Sequence, residues 1–440
     1  MCWCDVIFVP LELKNLLSIK EDINSRELFM NIFTVIILAA ILVDFILEIV
    51  SNRLNLKALS KELPDEFEGV YDEETYAKSQ EYTRVNTKFG FLTGTFDLIL
   101  LLVFWFAGGF NWLDQWARGF DFGVVVTGLI FIGALIVAKT IIDLPFSIYS
   151  TFVIEERFGF NKTTAKTFVM DRVKGLLLGI VIGAPLLAGI IAFFEYGGSF
   201  AWVYAWLVVT GFSLVMQYIA PTWIMPIFNK FEPLEDEELR EAIENYAAKV
   251  DFPLQEIFVM DGSKRSSKSN AFFTGFGKNK RIALFDTLIE NHTKDELVAV
   301  LAHEIGHYKK KHIIKNMAIS ILQTGIMFAL LSLFLQVTAL FDAFYMDQMS
   351  VYAGLLFFGM LYSPVETILG IGMQKLSRSH EYEADHFAST TIQNPEEMVN
   401  VLKKLSKDNL SNLTPHPFYV FLNYSHPPVL KRIRAIRNIN

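Results

Sequence analysis

Cysteine is nearly missing from this chain: two in 440 residues, both within the first four positions at Cys2 and Cys4. No partner thiol stands elsewhere, so disulfides cannot staple the fold, and two thiols alone offer too few donors for a metal site. Excess positive charge is missing as well. With 39 Lys and Arg against 47 Asp and Glu, the formal net charge is −8, which gives no basic field and removes nucleic acid as a partner. The first residues, MCWCDVIFVPLELK, lack a positive start and a long apolar run, so a cleaved signal peptide is not expected. There is no internal repeat and no low-complexity linker.

Apolar residues, by contrast, are plentiful. They make up 52% of the chain, the mean hydropathy is +0.35, and they are gathered into runs. Crossing about 30 Å of hydrocarbon takes roughly 20 helical residues. Seven runs reach that length: Phe29 to Val50, Phe91 to Gly108, Phe122 to Leu144, Gly175 to Phe194, Ala201 to Ile219, Ile313 to Leu340 and Val351 to Ile371. Seven such runs separated by polar stretches predict an all-α integral membrane protein with the bilayer as its surroundings. Lys and Arg collect after the first, third, fifth and seventh runs, for example Arg53, Lys57, Arg157 and Lys162, whereas the other three loops hold only Arg118. Positive loops stay cytoplasmic, which puts the N-terminus outside and the C-terminus inside.

Four parts are expected along the chain. Residues 1–219 carry five spans, 220–312 a cytoplasmic insertion, 313–371 two more spans, and 372–440 a cytoplasmic tail. Within the insertion, LEDEELREAIENYAAKV has the apolar spacing of an amphipathic helix. EIFVM and RIALFD are short and rich in strand formers, separated by a stretch full of turn residues. A small sheet beside the next helix follows from this pattern.

That next helix announces its start: Thr293 is followed three residues later by Glu296, the pattern of a capping box. A helix from Lys294 puts His303 and His307, in LAHEIGHYKK, one turn apart on a single face. Two imidazoles so presented can hold one zinc ion, with Glu304 beside them to take a proton from an attacking water. Such a site needs a third protein ligand. Candidates stand after the seventh run in SRSHEYEADHFA, where Glu381 and Asp385 are four apart. One carboxylate could bind the metal while the other accepts the second ring N–H of a ligating histidine. By chemistry alone His380, Glu383 and His386 remain possible donors. Asp44, Glu48, Asp97, Lys139, Asp143 and Glu366 lie inside the spans, where charges normally face a bundle interior or a wet cavity.

Taken together, HEIGH, PFSIYSTFVIEERFGFNKTT, IAPTWIMPIFNKFEPL, GSKRSSKSNAFFTGFGKNKRIALFDTL, SRSHEYEAD and NYSHPPVLKRIRAI resemble the type I CAAX prenyl protease family, membrane zinc endopeptidases of the gluzincin group. The resemblance extends over most of the chain. It implies seven membrane helices around a water-filled chamber, with a small α+β protease insertion on the cytoplasmic side. It further implies one zinc per chain held by His303, His307 and Glu381, Glu304 as general base, and Asp385 as the partner orienting a ligand histidine. His426 and Arg432 fall where the family stabilises the oxyanion, and Asn270 matches the strand along which substrate lies. The implied substrate is a peptide or protein, prenylated near its C-terminus, and the enzyme a monomer. The tail RIRAIRNIN lacks the lysine pair of an endoplasmic reticulum resident, and the outer loops are short. These features favour a prokaryotic plasma membrane, with the endoplasmic reticulum as the setting if the source is eukaryotic. Rival expectations are a membrane-protein quality-control metalloprotease and, from another class, a multispan transporter in which HEIGH is accidental.

Overall fold

The structure, a computed structural model, describes residues 31–274 and 280–439. Cys2 and Cys4 lie outside the described residues. Seven helices among them are long and apolar enough to span a bilayer: Ile32–Lys57, Glu73–Phe106, Val124–Glu155, Ala165–Tyr196, Gly198–Phe228, His312–Phe334 and Val351–Thr391. All seven expected spans are present, and the helices run past the apolar runs wherever polar residues still suit a helix. The second begins at Glu73, capped by Asp72, whose carboxylate accepts from the Thr75 N–H, well before Phe91. The sixth stops at Phe334, short of Leu340, which sits in a separate short helix, Thr338–Asp342.

Each membrane helix touches the next in sequence, and the seventh returns to the first. The result is a closed ring, and no more than 17% of the apolar window of any of these helices is buried within the protein, which leaves most of that surface to meet lipid. At the end away from the sheet, the ring is plugged by an aromatic cluster containing Trp105, Phe110, Phe131, Phe341, Phe344, Tyr352 and Phe357. Gly128 permits this closure, because a Cβ there would stand 2.8 Å from both Ile191 and Tyr352. Between the plug and the opposite end, Lys139 bonds Asp97 at 3.1 Å and Asp143 at 2.6 Å, with all three side chains more than two-fifths exposed. Such charges tolerate a bilayer only where they meet water or one another.

The opposite end carries a compact cap. Its sheet has the order β1-β2-β4-β3, with β1 Phe231–Pro233, β2 Leu254–Met260, β3 Ala271–Thr274 and β4 Lys280–Phe285. β2 and β4 run parallel, and the outer two strands are antiparallel to their neighbours. EIFVM and RIALF are strands as expected. The turn-rich stretch between them, however, also holds β3, whose AFFT segment is too short to outweigh the Ser, Gly and Lys around it. The cap's core draws Phe67 from the loop after the first span, Tyr76 from the first turn of the second span's helix, Leu239 to Ile305 from the insertion, and Val399, Leu402, Leu413 and Ile433 from the tail. Segments 220–312 and 372–440 therefore share one core.

Candidate active site

The helix Lys294–Lys309 starts with the expected capping box. Thr293 accepts from the Glu296 backbone, and Glu296 reaches back to the Thr293 N–H at 2.8 Å. Such caps are worth about 1 kcal/mol. Leu297, Leu301 and Ile305 are buried in the cap core, each contributing roughly 1.5–3 kcal/mol. That anchoring fixes the face opposite Leu301 and Ile305, which carries His303 and His307, with Glu304 at its border.

The seventh membrane helix does not stop at the bilayer. It continues to Thr391 and crosses the His303 helix at Gly306. A Cβ on Gly306 would lie 3.0 Å from the Ala384 Cα and 3.1 Å from its carbonyl oxygen, so only glycine allows this approach without the backbones giving way. The crossing brings Glu381 between the two histidines. His303 Nε2 stands 3.1 Å from His307 Nε2, and Glu381 oxygens stand 3.4 Å from His303 Nε2 and 3.3 Å from His307 Nε2. Three donors of a tetrahedral zinc, each about 2.0–2.1 Å from the ion, would be roughly 3.4 Å apart. The donor set therefore suits one zinc. It is the one group of three or more His, Cys, Asp or Glu found to converge in this way among the described residues.

Two further observations point to a cation there. Glu381 Oε2 is buried and meets no donor in hydrogen-bonding geometry. The surroundings also demand positive charge: burial opposes protonation of His303, but Asp385 and Glu381 outweigh it and hold its imidazole up at about 9. Asp385 Oδ1 lies 2.9 Å from His303 Nδ1, the nitrogen not facing the cluster.

Arg432, on the tail helix Val429–Arg437, grips Asp385 with Nε at 2.8 Å and Nη2 at 2.6 Å. Its remaining nitrogen, Nη1, is 3.3 Å from Glu381. Two of the three guanidinium nitrogens are thus committed to Asp385. His426 instead sits largely exposed in the loop ahead of Pro427 and Pro428, with Nε2 3.4 Å from Glu381 and Nδ1 held by Ser425 at 2.9 Å. Glu304 is partly buried, and that burial raises its carboxyl above the ordinary range although His303 and His307 pull it down.

These groups open into a cavity of about 440 Å³, lined among others by Asn270, Ala271, His303, Glu304, His426 and Arg432. Asn270 lies at the entry to β3, and its own Oδ1 accepts from the Ala271 N–H at 2.8 Å. Among the described residues β3 pairs only with β4, which leaves its other edge without a strand partner there. Six of the eight residues the resemblance pointed to line this cavity, and the other two, His307 and Asp385, stand against Glu381 and His303. Gly306 went unnoticed in the sequence, its one signal being its place inside HEIGH, and so did His312, considered below.

Comparison with known proteins decides the family. The family description "CAAX prenyl protease N-terminal, five membrane helices" matches residues 52–230, and "Peptidase family M48" matches residues 233–440. The chain belongs to peptidase family M48. It is 38% identical to "CAAX prenyl protease 1 homolog" of Arabidopsis thaliana, over 90% of this chain and 95% of that one. With "CAAX prenyl protease 1" of Saccharomyces cerevisiae the identity is 37%, over 86% and 89% of the two chains. The crystal structure of S. mikatae Ste24p superposes with a TM-score of 0.87 at 35% identity, covering 92% of this chain and 99% of that one. This M48 protein is accordingly an integral membrane metalloprotease acting on a protein or peptide, and the transporter reading falls away.

Proposed function

We propose that this M48 protease is a zinc enzyme that hydrolyses a peptide bond near the C-terminus of prenylated proteins. The observation that carries the reading is the convergence of His303, His307 and Glu381 beside Glu304, on one wall of a cavity whose other wall begins a strand edge left unpaired among the described residues. An extended peptide can add to such an edge through its backbone, and Asn270 supplies a side-chain amide at the start of that wall. A single prenyl chain draws a peptide to the bilayer without burying the scissile bond in lipid, and a ring of membrane helices that keeps Lys139, Asp97 and Asp143 accessible can accept both parts.

In this reading His303, His307 and Glu381 hold the zinc, which when bound supplies a Lewis acid beside the scissile carbonyl. Glu304 takes a proton from the attacking water and returns it to the leaving amine, and its raised carboxyl suits a base working near neutral pH. His426 donates to the carbonyl oxygen as negative charge gathers on it, from a turn stiffened by two prolines. Arg432 acts chiefly by fixing Asp385, and through it the ring of His303, with Nη1 left to assist at the oxyanion. The named relatives, from a plant and from yeasts, shift the expected setting from a prokaryotic plasma membrane towards the endoplasmic reticulum.

The test is cleavage of a farnesylated C-terminal peptide beside its unlipidated twin, by the purified full chain in detergent, with products weighed by mass spectrometry. Faster cleavage of the farnesylated peptide, abolished by a zinc chelator and restored by zinc, is expected. Equal rates on the two peptides would remove the prenyl specificity and leave a general membrane-protein protease.

A further inference from the structure

His307 has a second ring nitrogen, and its partner is not a carboxylate. His307 Nδ1 stands 3.0 Å from His312 Nδ1, and His312 Nε2 stands 3.1 Å from Glu383 Oε2. His312 is only 2% exposed, and its ring is stacked face to face on His380, centroids 3.8 Å apart and planes within 11°. Its position depends on a backbone reversal. The His303 helix ends at Lys309, and Lys311 adopts the left-handed conformation, φ 58°, before the sixth membrane helix begins at His312. A lysine held there costs of order 1–3 kcal/mol, yet this turn is what points the His312 ring back at His307.

We propose that His312 and Glu383 form a relay that orients His307 as a metal ligand. The proposal rests on the zinc-ligand reading above, and the proton positions follow from the partners. A ring nitrogen that gives its lone pair to a metal carries no proton, so a His307 bound through Nε2 has its proton on Nδ1 and donates it. His312 Nδ1 is then the acceptor, which puts the His312 proton on Nε2, where Glu383 accepts it. Every donor meets an acceptor, both imidazoles are neutral, and only one tautomer of each fits. The two ligand histidines are therefore both braced by carboxylates: His303 directly by Asp385, His307 by Glu383 through an intervening imidazole. Lys315 Nζ, 4.0 Å from Glu383, keeps the outer carboxylate in a positive setting. Removing such supporting partners typically costs 10- to 100-fold in metal affinity.

The experiment measures zinc affinity of the detergent-purified full chain by competition with a chromophoric chelator, together with thermal melting of the zinc-stripped proteins. His312→Ala should weaken zinc binding by about 10- to 100-fold. His312→Asn, whose amide oxygen can stand where Nδ1 stood, should recover most of that loss. Glu383→Ala should weaken binding in the same direction by less, and because Glu383 is about two-fifths exposed its removal does not threaten the fold. Stripped Glu383→Ala and stripped parent should melt together, which separates its loss of metal affinity from any loss of fold. If His312→Asn binds zinc no better than His312→Ala, or if Glu383→Ala leaves affinity unchanged, His312 is a packing residue and the relay is wrong. A parent chain that takes up no zinc overturns the ligand assignment itself, which is a different result from a parent that binds zinc as tightly as His312→Ala does.

Discussion

The ring and the cap are built from the same chain to opposite standards. In the ring, the apolar windows are at most 17% buried and charged groups such as Lys139, Asp97 and Asp143 stay accessible. In the cap, Leu284, Ala299, Ala302, Val399 and Ile433 are all fully buried, and a glycine is needed to let two helices meet. Away from its aromatic plug, where Gly128 is set at least as tightly as Gly306, the ring has only to enclose a space, which tolerates slack. Holding three donors about 3.1–3.4 Å apart does not, because misplacing a reacting group by 1 Å can cost 10²-fold in rate. Changes in the cap should therefore cost far more than changes of similar size in the ring.

The severest break is expected at Glu304. Glu304→Gln keeps shape but cannot take a proton, so kcat should fall by about 10²–10⁴ with zinc content unchanged; peptide turnover beside metal analysis checks both halves. His426→Ala comes next. Loss of one oxyanion donor typically costs 10²–10³ in kcat, about 3–4 kcal/mol, and KM and zinc content should stay near parental values. Zinc lost in proportion to activity would instead put His426 among the ligands and reopen the assignment of Glu381.

Gly306→Ala probes the standard of fit itself. The added methyl meets backbone at 3.0 Å, so the helices must part by a few tenths of an ångström. Overpacking of this kind typically costs about 1–3 kcal/mol, and here zinc affinity should drop along with stability. Affinity equal to the parent's would mean that the cap has the slack attributed to the ring.

Lys139→Ala sharpens the contrast from the other side. With water in the ring, Asp97 and Asp143 remain solvated and stability should change by less than about 1 kcal/mol. A loss of several kcal/mol on thermal melting would show instead that these carboxylates depend on Lys139 for want of water. The smallest effect belongs to the cap's rim, where Glu66 bonds Lys403 and Arg437. Burial raises the Glu66 carboxyl, but the two cations outweigh it and hold it below its usual value of 4.5. Its stabilisation is thus present above that value and is lost as pH falls through the lowered one. Glu66→Gln should cost under about 1 kcal/mol at neutral pH and nothing measurable once acid has protonated the parent.

Much of this was legible in one dimension because the signals are local. A membrane span is written as some 20 contiguous apolar residues, a capping box as Thr293 and Glu296, and a pair of imidazoles able to share a metal as His303 and His307 on one helical face. β3 escaped because a four-residue strand says little by composition and exists through its pairing with β4. Glu381 could be set apart from Glu383 only by the family resemblance, since either carboxylate satisfies the chemistry of a third ligand.

The sequence by itself determined the seven spans, the helix bearing His303, Glu304 and His307, and the list of side chains from which a site could be made. Tertiary structure alone decided which of them meet. Residues 303 and 381 are 78 positions apart, and no local rule relates them. They come together because Gly306 lets the seventh membrane helix cross at Ala384, which turns Glu381 towards the histidine pair and Glu383 towards His312. One helix thus points two carboxylates, two residues apart, at different partners. That division depends on where the crossing falls along its axis, a quantity set by packing and written in no single stretch of the chain.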